Sequence, residues 1–253
     1  MSPVKKWFLF WCVSGLFVLS VPAGEVRLLA YNIKHGRGMD GKIDLKRIAK
    51  VIAAHQPDLV ALQEVDNRCT RSGEIDQAAE LGRLLGMHHA FGTFMDFQGG
   101  QYGMAVLSRF PIKKAVRHQL PEGAEPRCAM EIEVEIKPGD PFSFISIHND
   151  WTKPELRVPQ VKALLKTVET YSHPVVLAGD FNATRDDASM TLLKGWNVVQ
   201  KEGAPDTFPS VAPKIEIDYF VIRGWRGVQG PCRVGNEQVA SDHRPVFMVL
   251  ETK

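Results

Sequence analysis

The chain has no long hydrophobic run beyond its N-terminus. The exception begins with Lys5 and Lys6, continues as an apolar run over residues 7–21 and ends in small residues. These features in this order predict a secretory signal peptide over residues 1–24, which leaves residues 25–253 as the mature domain. An uncleaved membrane anchor is the alternative, although the run is short for a bilayer span. We therefore expect an exported protein, either periplasmic or secreted.

Cysteine is also scarce, and no two cysteines form a closely spaced pair. Zinc sites are built from such pairs, so a zinc site is not expected. Cys69, Cys128 and Cys232 lie outside the signal segment. An odd number of cysteines in an exported protein permits one disulfide and one free thiol, and we expect Cys69 to pair with Cys128. Three buried, reduced cysteines are the alternative.

The mature domain has no excess of positive charge. Removal of Lys5 and Lys6 leaves 29 basic residues against 29 acidic residues. Proteins that hold long nucleic acids usually present a basic surface, because contacts to phosphate supply most of the non-specific affinity. The neutral balance therefore argues against an extended nucleic-acid surface, although it allows a local basic patch.

Short apolar runs alternate with helical patterns along the chain. The predicted strands cover residues 26–31, 58–63, 102–108, 129–136, 142–147, 174–178, 217–222 and 246–250, and the predicted helices cover residues 45–52, 76–85, 155–171 and 188–193. Hairpins occur as well as crossovers, which indicates mixed sheets with helices outside in one domain. The alternation over residues 129–136 places Glu131, Glu133 and Glu135 on a solvated face.

The stretch over residues 174–184 is the centre of the functional argument. Its apolar run breaks at Gly179 and presents Asp180 and Asn182 two residues apart. On an extended chain this spacing puts both side chains on the same face, where they could hold and deprotonate a water molecule. A strand that ends in a plain Asx turn is the alternative.

Other strand ends carry similar polar residues, and burial of so many polar groups is costly unless they are paired or bind a metal. The set comprises Asn32, Glu64, His148, Asp150, Asp180, Asn182, Asp218, Asp242 and His243. Sheet topology can bring such ends to one rim, which suggests a shared site. Oxygen donors without thiolates favour Mg²⁺, with Mn²⁺ as a substitute, and the added histidines suit hydrolysis of a phosphate ester.

Four short motifs make the pattern recognisable. They are Leu62-Gln63-Glu64-Val65, Gly179-Asp180-Phe181-Asn182, Ile217-Asp218-Tyr219 and Ser241-Asp242-His243-Arg244-Pro245, and they come with Asn32 and His148. In this order the motifs resemble the endonuclease/exonuclease/phosphatase superfamily, and the match runs from near Leu28 to the C-terminus. The resemblance implies an α/β (α+β) fold: a four-layered α/β/β/α sandwich of two mixed β-sheets with helices outside.

The resemblance also implies roles in binding metal and activating water. Glu64 looks like the main metal ligand, with Asn32 nearby and Asp242 beside the metal or a second metal position. Asp180 looks like the base that activates water, and Asn182 would position the phosphate or the water.

A second group of residues is implied on the substrate side. His148 and His243 would contact the scissile phosphate, and Asp218 would orient His243. Arg127 resembles an arginine that faces the substrate in related bacterial members, and Asp150 is placed with it in the substrate-binding set.

Together these expectations describe an exported, Mg²⁺-dependent phosphoesterase that cleaves phosphodiester bonds. A nuclease on DNA or RNA, a sphingomyelinase-like lipid phosphodiesterase and an enzyme for a small phosphodiester or phosphomonoester all stay open. A non-catalytic binding module on the same fold is the competing class. No stable protein partner is implied, and we expect a monomer.

Overall fold

The computed structural model describes residues 24–227 and 229–251. The predicted signal peptide lies outside these residues except for Gly24. Within the described ranges, none of the helices is both long and apolar enough to cross a membrane.

Two six-stranded mixed sheets form the body of the protein. The first contains β1 (Glu25–Asn32), β2 (Leu59–Asn67), β3 (His88–Phe97), β4 (Gly100–Ser108), β11 (Gln229–Val234) and β12 (Val246–Glu251), in the order β11-β12-β1-β2-β4-β3. The second contains β5 (Lys114–Gln119), β6 (Cys128–Lys137), β7 (Asp140–His148), β8 (Val175–Asp180), β9 (Asn197–Val198) and β10 (Asp218–Arg223), in the order β5-β6-β7-β8-β10-β9.

Four helices complete the layers: α1 (Leu45–Ala54), α2 (Gln77–Leu85), α3 (Pro154–Val168) and α4 (Ala188–Thr191). The carboxylate of Asp44 caps α1 by accepting from the Arg47 amide, and that of Asp76 caps α2 by accepting from the Ala79 amide. Such caps satisfy amides that have no partner within the helix. Asp76, the first residue of the helix predicted over residues 76–85, is thus its N-cap.

Alternating side chains on the strands build three apolar layers. Leu28 of β1 packs between the sheets with Phe144 of β7, in a cluster drawn from both sheets. Tyr31 points to the other face of β1 and packs with Ile48 of α1. A third cluster joins Leu164 of α3 to the outer face of the second sheet. The predicted α/β/β/α sandwich is confirmed.

The sequence reading missed β3, β5, β9 and β11. All four are the outermost strands of the two sheets. Edge strands are only partly buried, so they lack the continuous apolar run that marks a central strand. The patterns on β5 and β11 are mixtures of charged, polar and small residues.

The solvated face predicted for β6 is wrong at Glu131, which is buried. Its carboxylate accepts hydrogen bonds from the Ser143 hydroxyl at 2.6 Å and the Tyr171 hydroxyl at 3.0 Å. Nε2 of His118 lies 2.5 Å away on the neighbouring strand β5. Local alternation could not reveal that β5 and the segment after α3 cover this position.

The expected Cys69–Cys128 disulfide is also wrong. In the described part of the chain Cys69, Cys128 and Cys232 are all buried and unpaired. The Cys69 thiol donates to the Gln101 carbonyl at 3.2 Å, whereas Cys128 packs in the layer between the two sheets. Burial raises the pKa of the Cys128 thiol to about 12. These cysteines are therefore packing residues held as neutral thiols.

Candidate active site

Three adjacent strands bring polar side chains to one end of the second sheet. β7 and β8 run parallel and end in register at His148 and Asp180. β10 runs antiparallel to β8 and begins with Asp218 opposite Asp180. Carboxyl ends of parallel strands meet at one edge, and an antiparallel neighbour must start there, so these side chains become neighbours.

Gly179 lets β8 approach the other sheet closely. Its φ is +136°, and a Cβ atom there would lie 2.4 Å from both the Gln63 amide nitrogen and the Ile147 carbonyl oxygen. Only glycine fits such a position. The Gln63 amide, which donates to Ser146 Oγ at 2.9 Å, links the two sheets directly beneath the site.

Glu64 reaches the site from a β-bulge in the first sheet. The pairing of β2 with β4 shifts register between Leu62 and Val65, and Glu64 has a φ of 56°. Bulges bend a strand and re-aim a side chain beside many active sites. Asn32, at the end of β1, donates to Glu64 Oε1 at 3.1 Å and to Asp180 Oδ2 at 3.2 Å. One buried amide therefore joins the predicted metal ligand to the predicted base.

His243 lies between two carboxylates, as the implied role of Asp218 requires. Its Nδ1 is 3.0 Å from Asp218 Oδ2, and its Nε2 is 3.6 Å from Asp180 Oδ2. Burial alone would lower the pKa of His243, but the nearby charges of Asp218 and Asp180 outweigh it and raise that pKa to about 10. The imidazole is therefore a cation near neutral pH. The Phe208 ring packs against it with centroids 4.9 Å apart.

Asp180 is buried, and its carboxyl titrates near neutrality. Burial raises the pKa of Asp180 to about 7, with a further contribution from the charge of Asp218 and an opposing one from His243. Oδ1 accepts from the Asn182 backbone amide at 2.8 Å. A carboxyl with a pKa near the working pH is well matched to general acid–base chemistry.

His148 presents a neutral imidazole to the same carboxylate. Burial, together with the positive charges of Arg127 and His243, holds the pKa of His148 well below its usual range. Nε2 lies 3.5 Å from Asp180 Oδ2, and buried Nδ1 has no hydrogen-bond partner within the residues described. The two histidines therefore differ in charge, because one has a carboxylate on each side and the other has a guanidinium nearby.

Asn182 adopts a left-handed backbone, with φ 49°. Its side-chain nitrogen donates to the Asn149 carbonyl at 3.0 Å, and the Asn149 amide donates in turn to the Asp180 carbonyl at 3.1 Å. These bonds fix the turn that follows β8. The Asn182 side chain therefore lies beside Asp180, and the hydrogen bond to the Asn149 carbonyl holds its amide nitrogen.

Arg127 is almost fully buried, with 1% of its surface exposed. Nη2 pairs with Glu125 at 3.0 Å, and the guanidinium lies over the Phe94 ring. Nε and Nη1 have no hydrogen-bond partner anywhere in the part of the chain that the structure describes. Unpartnered buried donors of a cation are costly, so this group is suited to an anionic ligand.

Asp150 and Asp242 stand apart from the central cluster. The Asp150 carboxylate accepts from the amides of Ala124, Thr152 and Lys153, so here it positions two loops. Asp242 Oδ2 lies 2.5 Å from Nζ of Lys34. Direct contacts of Asp150 with substrate and of Asp242 with a metal stay predictions.

Lys34 was missed in the sequence reading. It lies two residues after Asn32, and the same spacing rule that linked Asp180 to Asn182 would have marked it. Tyr102 was missed as well. Burial raises the pKa of Tyr102, and the nearby charge of Glu64 raises it further. The Tyr102 phenol therefore lies close to the predicted metal ligand.

The donor set fits a hard divalent ion. Glu64 and Asp180 offer carboxylate oxygens that the Asn32 side-chain nitrogen links, with no thiolate among them. Asp180, Asp218 and His243 also hold ligand atoms within 4.8 Å of one another. In this cluster Nδ1 of His243 and Asp218 already bond each other. Oxygen ligands of this kind suit Mg²⁺ or Mn²⁺.

Comparison with known proteins gives the same fold. The UPF0294 protein of Vibrio parahaemolyticus is 22% identical over 233 residues, which cover 89% of this chain and 77% of that protein. The endonuclease/exonuclease/phosphatase of Beutenbergia cavernae superposes with a TM-score of 0.75 at 24% identity, over 90% of this chain and 72% of that chain. The mannosyl-6-phosphatase of Bacteroides thetaiotaomicron gives a TM-score of 0.74 at 19% identity, over 89% and 99%.

The family itself follows from the sequence match. Residues 29–243 match the Endonuclease/Exonuclease/phosphatase family, and this span includes both Glu64 on its bulge and the His243–Asp218 pair. Members of that family are hydrolases that act on phosphoester bonds. The chain belongs to the endonuclease/exonuclease/phosphatase family.

Proposed function

We propose that this protein is an exported, Mg²⁺-dependent phosphodiesterase in which Asp180 takes the proton from the attacking water. The observation that carries this proposal is the position of the Asp180 carboxylate. It accepts from Asn32 at 3.2 Å and lies 3.5 Å from His148 and 3.6 Å from His243. A base must lie within reach of both its water and the reacting phosphorus, and this carboxylate is at the centre of the polar rim.

Asp180 acts as the general base. Its pKa of about 7 keeps the carboxylate available near neutral pH while leaving it basic enough to accept a proton. The hydrogen bond from the Asn182 backbone amide to Asp180 Oδ1 fixes the carboxylate plane, so Oδ2 is the oxygen that faces the site. The Asn182 side chain extends the same edge and would position the water or a phosphate oxygen.

The two histidines stabilise the charge that develops on the phosphoryl oxygens. Protonated His243 donates from Nε2, because Asp218 occupies Nδ1 and holds the ring. Neutral His148 offers a second ring nitrogen near the same Asp180 oxygen. Preorganised donors of this kind, aimed at developing charge, typically supply a large share of a rate enhancement.

Glu64 would be the main ligand of the Mg²⁺ ion, with Asn32 nearby, and Mn²⁺ would substitute for it. When bound, such an ion polarises a phosphoryl oxygen as a Lewis acid. Arg127 contributes the unpartnered Nε and Nη1 donors to a phosphate oxygen, which compensates their burial. The negative charge of the substrate phosphate would thus be balanced by the metal ion and by Arg127.

The substrate is a phosphodiester. Within this class a nucleic acid and a sphingomyelin-like lipid are the alternatives to a small molecule. The neutral charge of the mature chain disfavours long nucleic acid, and the chain offers no inserted aromatic hairpin for a lipid. The structural likeness to a protein described as a mannosyl-6-phosphatase adds small phosphate monoesters to the substrates worth testing. A non-catalytic binding role is the least favoured reading.

A hydrolysis panel tests the proposal. Purified residues 25–253 are assayed with bis(p-nitrophenyl) phosphate, p-nitrophenyl phosphate, plasmid DNA, RNA and sphingomyelin, each with Mg²⁺, Mn²⁺ or chelator. Asp180→Asn is the control, since it removes the base and keeps the shape of the side chain. We expect turnover on a phosphodiester that requires metal and falls by roughly 100-fold or more in the variant.

Two results would contradict the proposal. Activity that survives in Asp180→Asn would remove Asp180 from the role of base. Silence of the folded wild-type protein on every substrate with either metal would favour the binding module. Localisation is tested separately, by fractionating cells that express the full chain and sequencing the N-terminus of the exported product.

A further inference from the structure

Lys34 forms an ion pair with Asp242 at the rim of the site. Its Nζ lies 2.5 Å from Asp242 Oδ2, with 34% and 20% of the two side chains exposed. Both groups are therefore partly withdrawn from water, where screening is weaker than on an open surface. The pair is formed by a residue two positions after the end of β1 and a residue directly before His243.

The backbone at Lys34 is held in an uncommon conformation. Lys34 and His35 have φ values of 45° and 46°, which side-chain-bearing residues rarely adopt. Such conformations persist where the surroundings fix them, and they cluster at functional sites. Here the Lys34 amide donates to Asn32 Oδ1 at 3.1 Å, and the His35 carbonyl accepts from the Gln77 side chain at 2.8 Å. Lys34 is thus fixed through its backbone as well as its ammonium group.

Both members of the ion pair are tied to Asn32. Ser241 Oγ donates to the Asn32 carbonyl at 2.7 Å and lies 3.3 Å from Asp242 Oδ1. Asn32 in turn contacts Glu64 and Asp180 through its amide nitrogen. The Lys34–Asp242 pair is therefore a built part of the site, linked through Asn32 to Glu64 and Asp180.

We propose that Lys34 is a tethered cation that takes the place of a second metal ion at Asp242, so that the site binds a single divalent ion on the Glu64 side. This inference rests on the proposed metal-dependent function. In two-metal sites carboxylates hold both ions. Here the Asp242 oxygen that a second ion would need already faces an ammonium group, whose charge also repels a dication.

Direct counting of bound Mn²⁺, without substrate, tests this assignment. Equilibrium dialysis with detection of free Mn²⁺ by electron paramagnetic resonance should give about one ion per wild-type chain. Lys34→Met removes the charge and adds no oxygen ligand, so the count should rise to about two. Lys34→Arg keeps the charge and should stay at about one. The double variant Lys34→Met/Asp242→Asn should return to about one, because the second ion would lose its carboxylate.

The outcomes separate this inference from the proposed function. About two ions in the wild type, or no rise in Lys34→Met, would overturn the role of Lys34 even if the enzyme hydrolyses phosphodiesters. If no substrate of the hydrolysis panel is cleaved but the Mn²⁺ counts are as expected, the proposed function is wrong and the role of Lys34 is still supported. If Lys34→Met fails to fold by circular dichroism, Lys34→Gly replaces it, since glycine accepts the positive φ and also supplies no ligand.

Discussion

Asp218 and Asp180 contact the two ring nitrogens of His243, with Nδ1 at 3.0 Å from Asp218 and Nε2 at 3.6 Å from Asp180. The first contact sets the ring orientation and its protonation, and the second aims the remaining nitrogen into the site. Since all three side chains are buried, neither contact is screened by solvent. The chemistry of His243 therefore depends on a residue that does not itself reach the substrate position.

Asp218→Asn should lower kcat by roughly 100-fold while leaving the fold intact. The amide cannot stabilise a charged imidazole, so the pKa of His243 should fall. Enzyme kinetics on the phosphodiester found in the panel measures the first effect, and a ¹H–¹⁵N titration of the histidines measures the second. Asp206→Asn, a loop acid outside the cluster, serves as the control. A normal kcat in Asp218→Asn would show that orientation of His243 is not needed.

The metal-free protein should lose stability as pH rises from about 7 to 9. His243 has a folded pKa of about 10, above its ordinary 6.5, so its contribution is complete below 6.5 and is lost as pH rises toward 10. The raised pKa of Asp180 acts in the same direction at lower pH, through about 7. The expected loss over this range is on the order of 2 kcal/mol, seen as a lower Tm in chelator.

His243→Asn should flatten that pH dependence, and His88→Asn at an exposed strand position should not. A Tm that rises between pH 7 and 9 in the wild type would contradict the charge state assigned to His243. Added Mg²⁺ should raise Tm across the range, because a ligand of the folded state stabilises it by mass action.

Arg127→Lys should weaken binding of the anionic substrate more than it slows turnover. Lysine keeps the charge but lacks the planar fork that supplies the free Nε and Nη1 donors. We expect KM, and Ki for inorganic phosphate, to rise about tenfold, in line with loss of a charge-assisted hydrogen bond. Arg233→Met, which breaks an exposed pair with Glu202, is the matched control. Unchanged Ki in Arg127→Lys would show that the buried donors do not meet phosphate.

The three thiols should resist alkylation in the native protein and react fully in denaturant without reductant. All three are buried, and burial raises the pKa of Cys69 and Cys232 to about 11 each. Thiolate is the reactive form, so both access and ionisation limit the native reaction. Mass spectrometry after alkylation gives the number of labelled sites. A single labelled cysteine in denaturant would restore a disulfide.

Much of the fold and site follows from the sequence because central strands and their ends obey local rules. The apolar runs that became β2, β7 and β8 are buried on both faces, so their composition alone marks them. Asp180 and Asp218 were identifiable since a carboxylate at the end of a buried strand is costly without a purpose. The caps Asp44 and Asp76 follow from hydrogen bonding within a few residues.

What the sequence did not reveal depends on partners distant in the chain. The sequence places Glu131 on a solvated face, whereas in the structure β5 and Tyr171 cover it. The sequence suggests a disulfide for Cys69, whereas in the structure its thiol donates to the Gln101 carbonyl and Cys128 packs between the sheets. Arg127 was expected to face the substrate, but only the structure shows that it is buried with Nε and Nη1 unpartnered among the described residues.

The sequence by itself marked the central strands and the polar residues at their ends, because apolar runs and periodicity are local properties. The tertiary structure alone decided their charges and pairings. Burial, together with the charges of Arg127 and His243, lowers the pKa of His148, whereas the carboxylates of Asp218 and Asp180 outweigh burial and raise the pKa of His243. The Lys34–Asp242 pair likewise joins residues 208 positions apart. Electrostatic interaction depends on distance in space and on exclusion of water, and neither is written in the order of the residues.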